Sequence, residues 1–479
     1  MENELISTEK LEQLIKEKNV KEIRKIFEVV PTIDIAEACD DFEDISYLIF
    51  IFKIVKSEYT ADLFTELSSE SKEDLILAMS DAELAKILES QFADDIVDDL
   101  EDLPANLVTR VLKNVPKERR ESINRLLNYK DNTAGSIMTT EFLTLLDNLS
   151  ADEAINMIRK EGKTKETIYT IFVIDNRRNL VGTLDLDDLI FANGDEKISD
   201  IMNMDYVTTN VMDDQEEVAN LMKRYDLNAI AVLNNENRLI GLITVDDIVD
   251  VIEQEATEDM SKMAGVAPLE NSYLETKTLK MALKCAPWLM ILLILGTFSS
   301  MILSKFENAL SALPILVPFV TVLMDTGGNA GGQTTTLIVR GLAVQEFEPR
   351  DYLKILWKEL RVAFLTGLMV CIFSTIWFLG EMYLNIISFD GYEIANEVLS
   401  GWPLFLARLE IALLVSTTLF LGIIVAKFVG TSLPMLVASL KKDPALISSP
   451  FVTTIVDVCS LLIYLGFAYI LFSNILPAL

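Results

Sequence analysis

An aspartate stands where an apolar segment should exclude it. Residues 450–476 form one long hydrophobic run, and Asp457 lies seven residues after Pro450, about 10 Å into the run at helical rise. An ionised carboxylate at that depth costs roughly 2.5–3.5 kcal/mol on insertion scales, which calls for a partner or a wet cavity rather than lipid. Thr453, Asp457, Ser460 and Tyr464 follow at spacings of 4, 3 and 4, so a polar stripe runs along one helical face. A neutral aspartate hydrogen-bonded to a neighbouring helix would satisfy the same residues. A second apolar segment, 313–345, carries Asp325-Thr-Gly-Gly-Asn329-Ala-Gly-Gly-Gln333. Here Asp325, Asn329 and Gln333 share a face if the segment is helical, while Gly327, Gly328, Gly331 and Gly332 permit unusual backbone or close approach. Such sequence is tolerated in a membrane only against protein or water. It can line a path or pack helices tightly through small residues, and the two roles are compatible.

Five long apolar segments must position these groups: 285–304, 313–345, 361–384, 403–428 and 450–476. Each is long enough to cross a hydrocarbon core of roughly 30 Å. Lys277, Lys280 and Lys284 precede the first. Arg350, Lys354, Lys358 and Arg361 separate the second from the third, and Lys427, Lys441 and Lys442 the fourth from the fifth. The loop from Glu381 to Pro403 carries Asp390, Glu393 and Glu397 without a Lys or Arg. This asymmetry predicts a cytosolic N terminus and an external C terminus. Glu410, close to Arg408, reads as an outer-interface residue.

The rest of the chain has the opposite character. Before Leu274 there are 28 basic and 59 acidic residues, a net of −31; after it there are 13 and 14. An acidic soluble half therefore precedes an apolar one, which explains a mean hydropathy of +0.32 beside a pI near 4.4. The chain has no histidine, so Ser-His-Asp and Cys-His nucleophiles and imidazole metal sites are excluded. A net of −31 without a basic cluster excludes nucleic acid as a partner. Cys39, Cys285, Cys371 and Cys459 are scattered and read as reduced packing residues. The first 20 residues are charged and lack the apolar stretch of a signal peptide, placing the acidic half in the cytosol.

Residues 1–130 read as an all-α domain, with apolar positions three and four apart and breaks at Leu103-Pro104 and Val115-Pro116. An echo between ADLFTEL from Ala61 and ADDIVDDL from Ala93 suggests stacked helical hairpins, a small superhelix. A clearer repeat follows. IMTTEFLTLLDNLSADEAINMIRK from Ile137 matches IMNMDYVTTNVMDDQEEVANLMKR from Ile201, and VIDNRRNLVGTLDLDDLI from Val173 matches VLNNENRLIGLITVDDIV from Val232. Each copy supplies a helix, a strand, a polar turn, a second strand and a helix opening with paired Asp. This resembles a tandem pair of CBS modules, 131–194 and 195–250, with Gly182 and Gly241 in matching places. From Asp246 to about Met263 the chain reads as one amphipathic helix rich in carboxylates, within a connecting stretch of 246–280 that includes a second amphipathic run, 274–284. The membrane domain occupies 281–479.

Taken together, the acidic helical domain, the tandem CBS modules, EATEDMSKMAGV (Glu255–Val266), Pro287-Trp288, the GGNAGGQ motif and DPALISSPFVTTIVDVCSLLIY (Asp443–Tyr464) resemble the MgtE family of magnesium channels. The likeness covers nearly the whole chain. It implies a multidomain membrane protein: an all-α superhelical N-terminal domain, α+β CBS modules, a connecting plug helix and five transmembrane helices. It also implies a homodimer in the inner or plasma membrane, with the ion path on the two-fold axis and lined by the second and fifth spans. Asp457 matches the family's pore aspartate, with Thr453, Gly328, Asn329 and Gln333 around it. Mg²⁺ holds its waters tightly and prefers octahedral oxygen, so paired carboxylates could hold it through its water shell.

In the family, regulatory magnesium bridges carboxylates of the cytosolic parts and closes the channel. The candidates here are Asp94, Asp95, Asp98 and Asp99; Glu216, Glu217 and Asp226; and Asp246, Asp247, Asp250, Glu255, Glu258 and Asp259. CBS pairs often bind adenine nucleotides, which offers ATP to Tyr169 and Asp188. Yet Asp185-Leu186-Asp187-Asp188 puts acid where phosphate needs a cation, which weighs against ATP. The resemblance implies a channel rather than an enzyme. An ion-coupled divalent-cation transporter and a non-conducting CBS-regulated receptor are the alternatives.

Overall fold

A computed structural model of the chain describes residues 6–101, 103–269, 273, 276–384, 386, 393–394, 397–398 and 401–472. Asp390, the side chains of Glu393 and Glu397, residues 274–275 of the second amphipathic run and 473–476 of the fifth apolar segment lie outside what it describes. Two compact units form, residues 1–252 and 253–479.

The first unit begins with short helices, from α1 (Thr8–Lys16) to α10 (Lys117–Leu126). Ser7, Ser68 and Ser80 cap three of them, and Ser80 makes a reciprocal capping box with Glu83, satisfying backbone donors that a helix start leaves free. Pro31, Pro104 and Pro116 sit at N-caps, where a missing N–H costs nothing. Packing runs in two rows: α3 on α5, α5 on α7 and α7 on α9 in one, α2 on α4 and α4 on α6 in the other. The result is the superhelix expected. The sequence echo, however, links α5 (Ser57–Glu66) in one row to α8 (Ala93–Glu101), which packs on α10, so it is not the repeating unit. In α8 the apolar Ala93, Ile96, Val97 and Leu100 are buried, leaving Asp94, Asp95, Asp98 and Asp99 along the other side.

The repeat then folds twice in the same way. Strands β1 (Thr144–Leu146), β2 (Thr170–Ile174) and β3 (Leu180–Asp185) form one sheet, flanked by α11 (Ala151–Glu161), α12 (Leu186–Phe191) and α13 (Ile198–Ile201). Strands β4 (Thr208–Asn210), β5 (Ala229–Leu233) and β6 (Leu239–Thr244) form the second, with α14 (Gln215–Tyr225) between β4 and β5. The registers correspond, Val173 opposite Gly182 and Val232 opposite Gly241. A Cβ on Gly182 would stand 2.9 Å from the Asn203 carbonyl oxygen, and one on Gly241 2.9 Å from that of Thr139. Each module thus uses its glycine to admit a crossing chain. Helix α15 (Val245–Met263) follows β6 and runs across the boundary at 252.

The second unit is helical: α16 (Thr278–Lys305), α17 (Glu307–Ala312), α18 (Val317–Ala343), α19 (Tyr352–Tyr383), α20 (Trp402–Ser439) and α21 (Ser449–Leu471). Among the described residues four helices are long and apolar enough to cross a membrane: α16, α19, α20 and α21. Helix α18 is equally long, but its polar centre sets it apart. Helix α20 lies centrally, packing on α18, α19 and α21. Its 38 residues span about 57 Å and extend well past residue 428, where the hydrophobic segment ends. Lys427, read from sequence as a flanking charge, is instead a buried residue inside the helix.

Candidate functional site

Helix α18 presents two unlike faces. Gly327, Gly328, Gly331 and Gly332 are buried, whereas Asp325, Asn329 and Gln333 are exposed. The glycines keep regular helical geometry and serve close approach, the small-residue packing role. A Cβ on Gly328 would lie 2.5 Å from Thr453 Cγ2 and 3.5 Å from Asp457 Oδ1, and a Cβ on Gly327 would lie 2.7 Å from Ser460 Oγ. The polar stripe of α21 therefore lies against the glycine face of α18. Its far end is structural, because Tyr464 is fully buried and donates to the Leu316 carbonyl at 3.0 Å.

Asp457 sits midway along this contact, half-buried. Its Oδ1 is enclosed and has no hydrogen-bond partner among the described residues, and the same holds for Ser460 Oγ. Among the described residues no neighbouring helix supplies a hydrogen bond to this oxygen. Thr453 donates to the Ser449 carbonyl at 3.0 Å and lies 3.4 Å from that of Gly328. Asp325 is the charged neighbour of Asp457. Carboxylate, carbonyl and hydroxyl oxygens gather here, with an exposed amide-bearing face alongside: a donor set for a hard, hydrated cation.

A second polar cluster stands behind α18, and the sequence did not announce it. Lys427 Nζ on α20 lies 3.0 Å from Thr334 Oγ1 on α18 and 3.2 Å from Glu359 Oε2 on α19. Lys427 is 5 % exposed and Glu359 9 %. The pair fastens three helices, and Thr334 follows Gln333 of the exposed face.

In the first unit, carboxylates from three segments converge. Asp94 accepts from Thr139 Oγ1 at 2.9 Å and Asp247 from Thr244 Oγ1 at 2.6 Å. Burial, with Asp95 next, pushes Asp94 up to about 7; burial and then Asp99 push Asp95 up to about 6. Asp247 is raised as well, mainly by burial. Glu166, just before β2, is pushed up to about 8 by burial and by Asp94, Asp95, Asp247 and Asp246. Its Oε2 is buried with no partner among the described residues. Uncompensated acid at this density is relieved by taking up protons or by a bound cation.

Near the end of α15, Lys262 reaches Glu258 at 2.5 Å and Asp443, on the segment leading to α21, at 2.7 Å. Burial opposes the charge of Lys262, yet these two hydrogen bonds hold its pKa raised. Asp259 beside it is pushed up to about 6, by burial first and Asp443 second.

Comparison with known proteins matches this layout part by part. The family model described as an MgtE intracellular N domain covers residues 30–132, CBS domains cover 134–195 and 198–254, and a divalent cation transporter covers 320–467. The magnesium transporter MgtE of Thermus thermophilus is 33% identical over 469 residues, 97% of this chain and 98% of that protein. The chain belongs to the MgtE family. The Enterococcus faecalis magnesium transporter MgtE is 35% identical over 351 residues, 73% of this chain and 72% of its own length. A crystal structure of the soluble part of a magnesium transporter, 31% identical, superposes with a TM-score of 0.50 over 52% of this chain and 98% of its own. The family's cargo is magnesium, its named members are transporters, and the apolar helices of this member fit a multi-pass membrane protein.

Within this MgtE-family chain the acidic residues singled out from sequence do not form one group. Asp94 and Asp95 feel the charge of Asp247, and Glu166 feels that of Asp94, Asp95, Asp247 and Asp246. Asp99 is engaged by Lys72 at 2.5 Å and Gln91 at 3.1 Å, while Asp98 is exposed on the same helix. Glu216 and Glu217 open α14, whereas Asp226 closes it in the left-handed conformation; ten residues of helix separate Glu216 from Asp226 by about 15 Å, too far to share an ion. Asp250 is exposed in the first unit, and Glu255, Glu258 and Asp259 lie in the second. Tyr169 is 70 % exposed, and its carbonyl accepts from Leu186 at 2.9 Å, which places it beside the helix bearing Asp188. Asp185, Asp187 and Asp188 crowd their oxygens within 4.8 Å of one another there, an exposed acidic surface.

Glu166, Lys72, Lys262 and the Lys427–Glu359 pair were not found from sequence. Lys427 alone carried a signal, being a charge at the end of a hydrophobic run.

Proposed function

We propose that this chain is a magnesium channel, not an enzyme, passing magnesium inward through a path lined by α18 and α21 and closed by cytosolic magnesium. The carrying observation is the enclosed, partnerless Asp457 carboxylate oxygen against Gly328, next to the exposed Asn329–Gln333 face. Two copies of the chain, related by a two-fold axis in the lipid bilayer, would present paired Asp457 carboxylates to a cation that keeps its water shell. Backbone oxygen near Gly328 and the Asn329 and Gln333 amides would complete the hydrogen bonds. Influx needs no coupled ion, since a membrane potential favours a cation by about 2.3 kcal/mol per charge per 100 mV. On this reading all five long helices span, α18 among them because its polar face is shielded from lipid. The N terminus is cytosolic and the C terminus external, and the domains divide at about 130, 194, 250 and 280.

For regulation, Asp94, Asp95, Glu166 and Asp247 are the residues that fit a divalent cation, the buried Glu166 Oε2 being the atom with most to gain. Cation binding supplies the charge that cancels their repulsion, so it favours the compact arrangement. Glu255, Glu258 and Asp259 lie on the same helix as the Lys262–Asp443 link, giving α15 a direct tie to the segment before the pore helix α21. Tyr169 and Asp188 are the residues that would contact the adenine and ribose of ATP, next to the acidic Asp185–Asp188 turn.

Patch-clamp recording tests this reading, with cytosolic magnesium stepped from micromolar to about 10 mM. Wild type should conduct at low magnesium and shut at high, while Glu166→Gln with Asp247→Asn should need several-fold more magnesium to shut. Absence of magnesium current under both conditions would remove the channel reading.

The raised carboxyl groups also fix a pH dependence. An acid whose pKa is higher folded than unfolded lends stability that is fully present below its unfolded value and lost as pH rises through the folded one. For Asp94, Asp95 and Glu166 that window runs from about 4 to about 8. Magnesium-free protein is therefore expected to melt at progressively lower temperature as pH rises from 5 to 8, and saturating magnesium should flatten the slope. A melting temperature independent of pH without magnesium would contradict the clustering of these acids.

A further inference from the structure

A cavity of about 500 Å³ in residues 1–252 has a wall of the opposite sign to the rest of the unit. Arg125 reaches it from α10, Lys165 from the segment after α11, Arg178 from the turn between β2 and β3, and Arg238 from the end of the equivalent turn between β5 and β6. The two turns are drawn side by side by an antiparallel bridge between Asn179 and Arg238. Thr140 adds a hydroxyl, and Glu141, which accepts from it at 3.0 Å, is the one acid among the described residues of the wall. Among the described residues the side chains of Arg125, Lys165 and Arg178 have no counter-ion; Arg238 meets only Glu236, at 3.4 Å, in a pair with side chains 57 % and 67 % exposed. An exposed pair of that kind contributes little.

Four cations brought together from four segments repel one another, and in a chain of net charge −32 acids to neutralise them are abundant elsewhere. Their convergence is explained by a ligand that brings its own concentrated negative charge. We propose that this cavity binds an oligophosphate anion. Closely spaced phosphates match the guanidinium forks of arginine, which bind such oxygens in bidentate fashion, and Lys165 would add a point charge. The site is separate from the Tyr169–Asp188 turn, where the neighbouring side chains are acidic. Because the wall joins α10 to both CBS turns, an occupied cavity would brace the helical domain against the repeat.

Isothermal titration of inorganic tripolyphosphate into the full-length chain in detergent, in magnesium-free buffer, tests the assignment. One site per chain is expected, weakening as salt is raised. Arg178→Asn with Lys165→Gln should weaken it about tenfold or more, from the loss of two charge-assisted contacts. Asn is chosen because Arg178 has φ 66°, a left-handed conformation that Asn tolerates. Lys10→Gln with Lys21→Gln makes the same change in net charge at exposed sites and should leave affinity unaltered. ATP titrated in parallel distinguishes the source: equal or tighter binding, lost in the same variant, identifies a nucleotide, and binding of tripolyphosphate alone identifies a free inorganic anion. No binding of tripolyphosphate or ATP, tripolyphosphate binding that survives unweakened in the Arg178/Lys165 variant, or equal weakening in the Lys10/Lys21 control, overturns the proposal.

Discussion

Asp457→Asn is expected to reduce magnesium current by a hundredfold or so while leaving the protein folded and at least as stable as wild type. The two halves of this expectation come from one observation. Asp457 Oδ1 is enclosed without a hydrogen-bond partner among the described residues, so no intramolecular bond is lost when the carboxylate becomes an amide of nearly the same shape. Removing a poorly solvated charge relieves a desolvation cost. What disappears is the attraction for a divalent cation at the centre of the path, felt twice if two copies face each other, and a loss of about 2.8 kcal/mol is already a hundredfold. Current measured in patches, with melting followed on the same purified variant, gives both readings. Wild-type current in the variant would take Asp457 out of the path. Current that survives but turns strongly pH-dependent would favour the ion-coupled transporter.

Lys427→Met is expected to act in the opposite way, destabilising the membrane unit by about 3–5 kcal/mol, the usual cost of removing one partner of a buried ion pair. Glu359 would be left 9 % exposed with no cation, and Thr334 would lose its contact with Nζ. Replacing both partners, Lys427→Met with Glu359→Leu, should recover most of the loss, because the cost lies in the orphaned charge rather than in the missing attraction. Trp288, Trp357, Trp377 and Trp402 are the chain's four tryptophans, and all fall in residues 253–479, so tryptophan emission reports melting of this unit. Single variants that melt like wild type would show that the pair contributes nothing. Magnesium flux should fall in the single variant even where it stays folded, since Thr334 adjoins Gln333 on the α18 polar face.

These two residues also mark how far local sequence reaches. Asp457 was legible because a carboxylate inside an apolar run is anomalous within its own segment, whatever surrounds it. Lys427 was misread for the same reason: a charge at the edge of an apolar run normally ends the span, and its partner Glu359 lies 68 residues away. Nothing in the neighbourhood of either residue signals the other. Likewise the Asp94–Asp99 group stood out as a cluster, but only packing shows Asp99 taken by Lys72, 27 residues distant, and Glu166 delivered to Asp94 and Asp247 from a loop that carries no motif.

Sequence alone determined the properties that arise from short-range pattern: the division into an acidic half and an apolar half, the helical superhelix, the duplicated CBS module with its two glycines, and the polar residues inside α18 and α21. Hydrophobic periodicity and charge are written residue by residue, so these needed no partner to be read. Tertiary structure decided which acid meets which base, which glycine face meets which helix, and which carboxylate is left without a partner. Those outcomes depend on desolvation and on contacts between segments far apart in the chain, and burial is a property that no residue has until the fold encloses it.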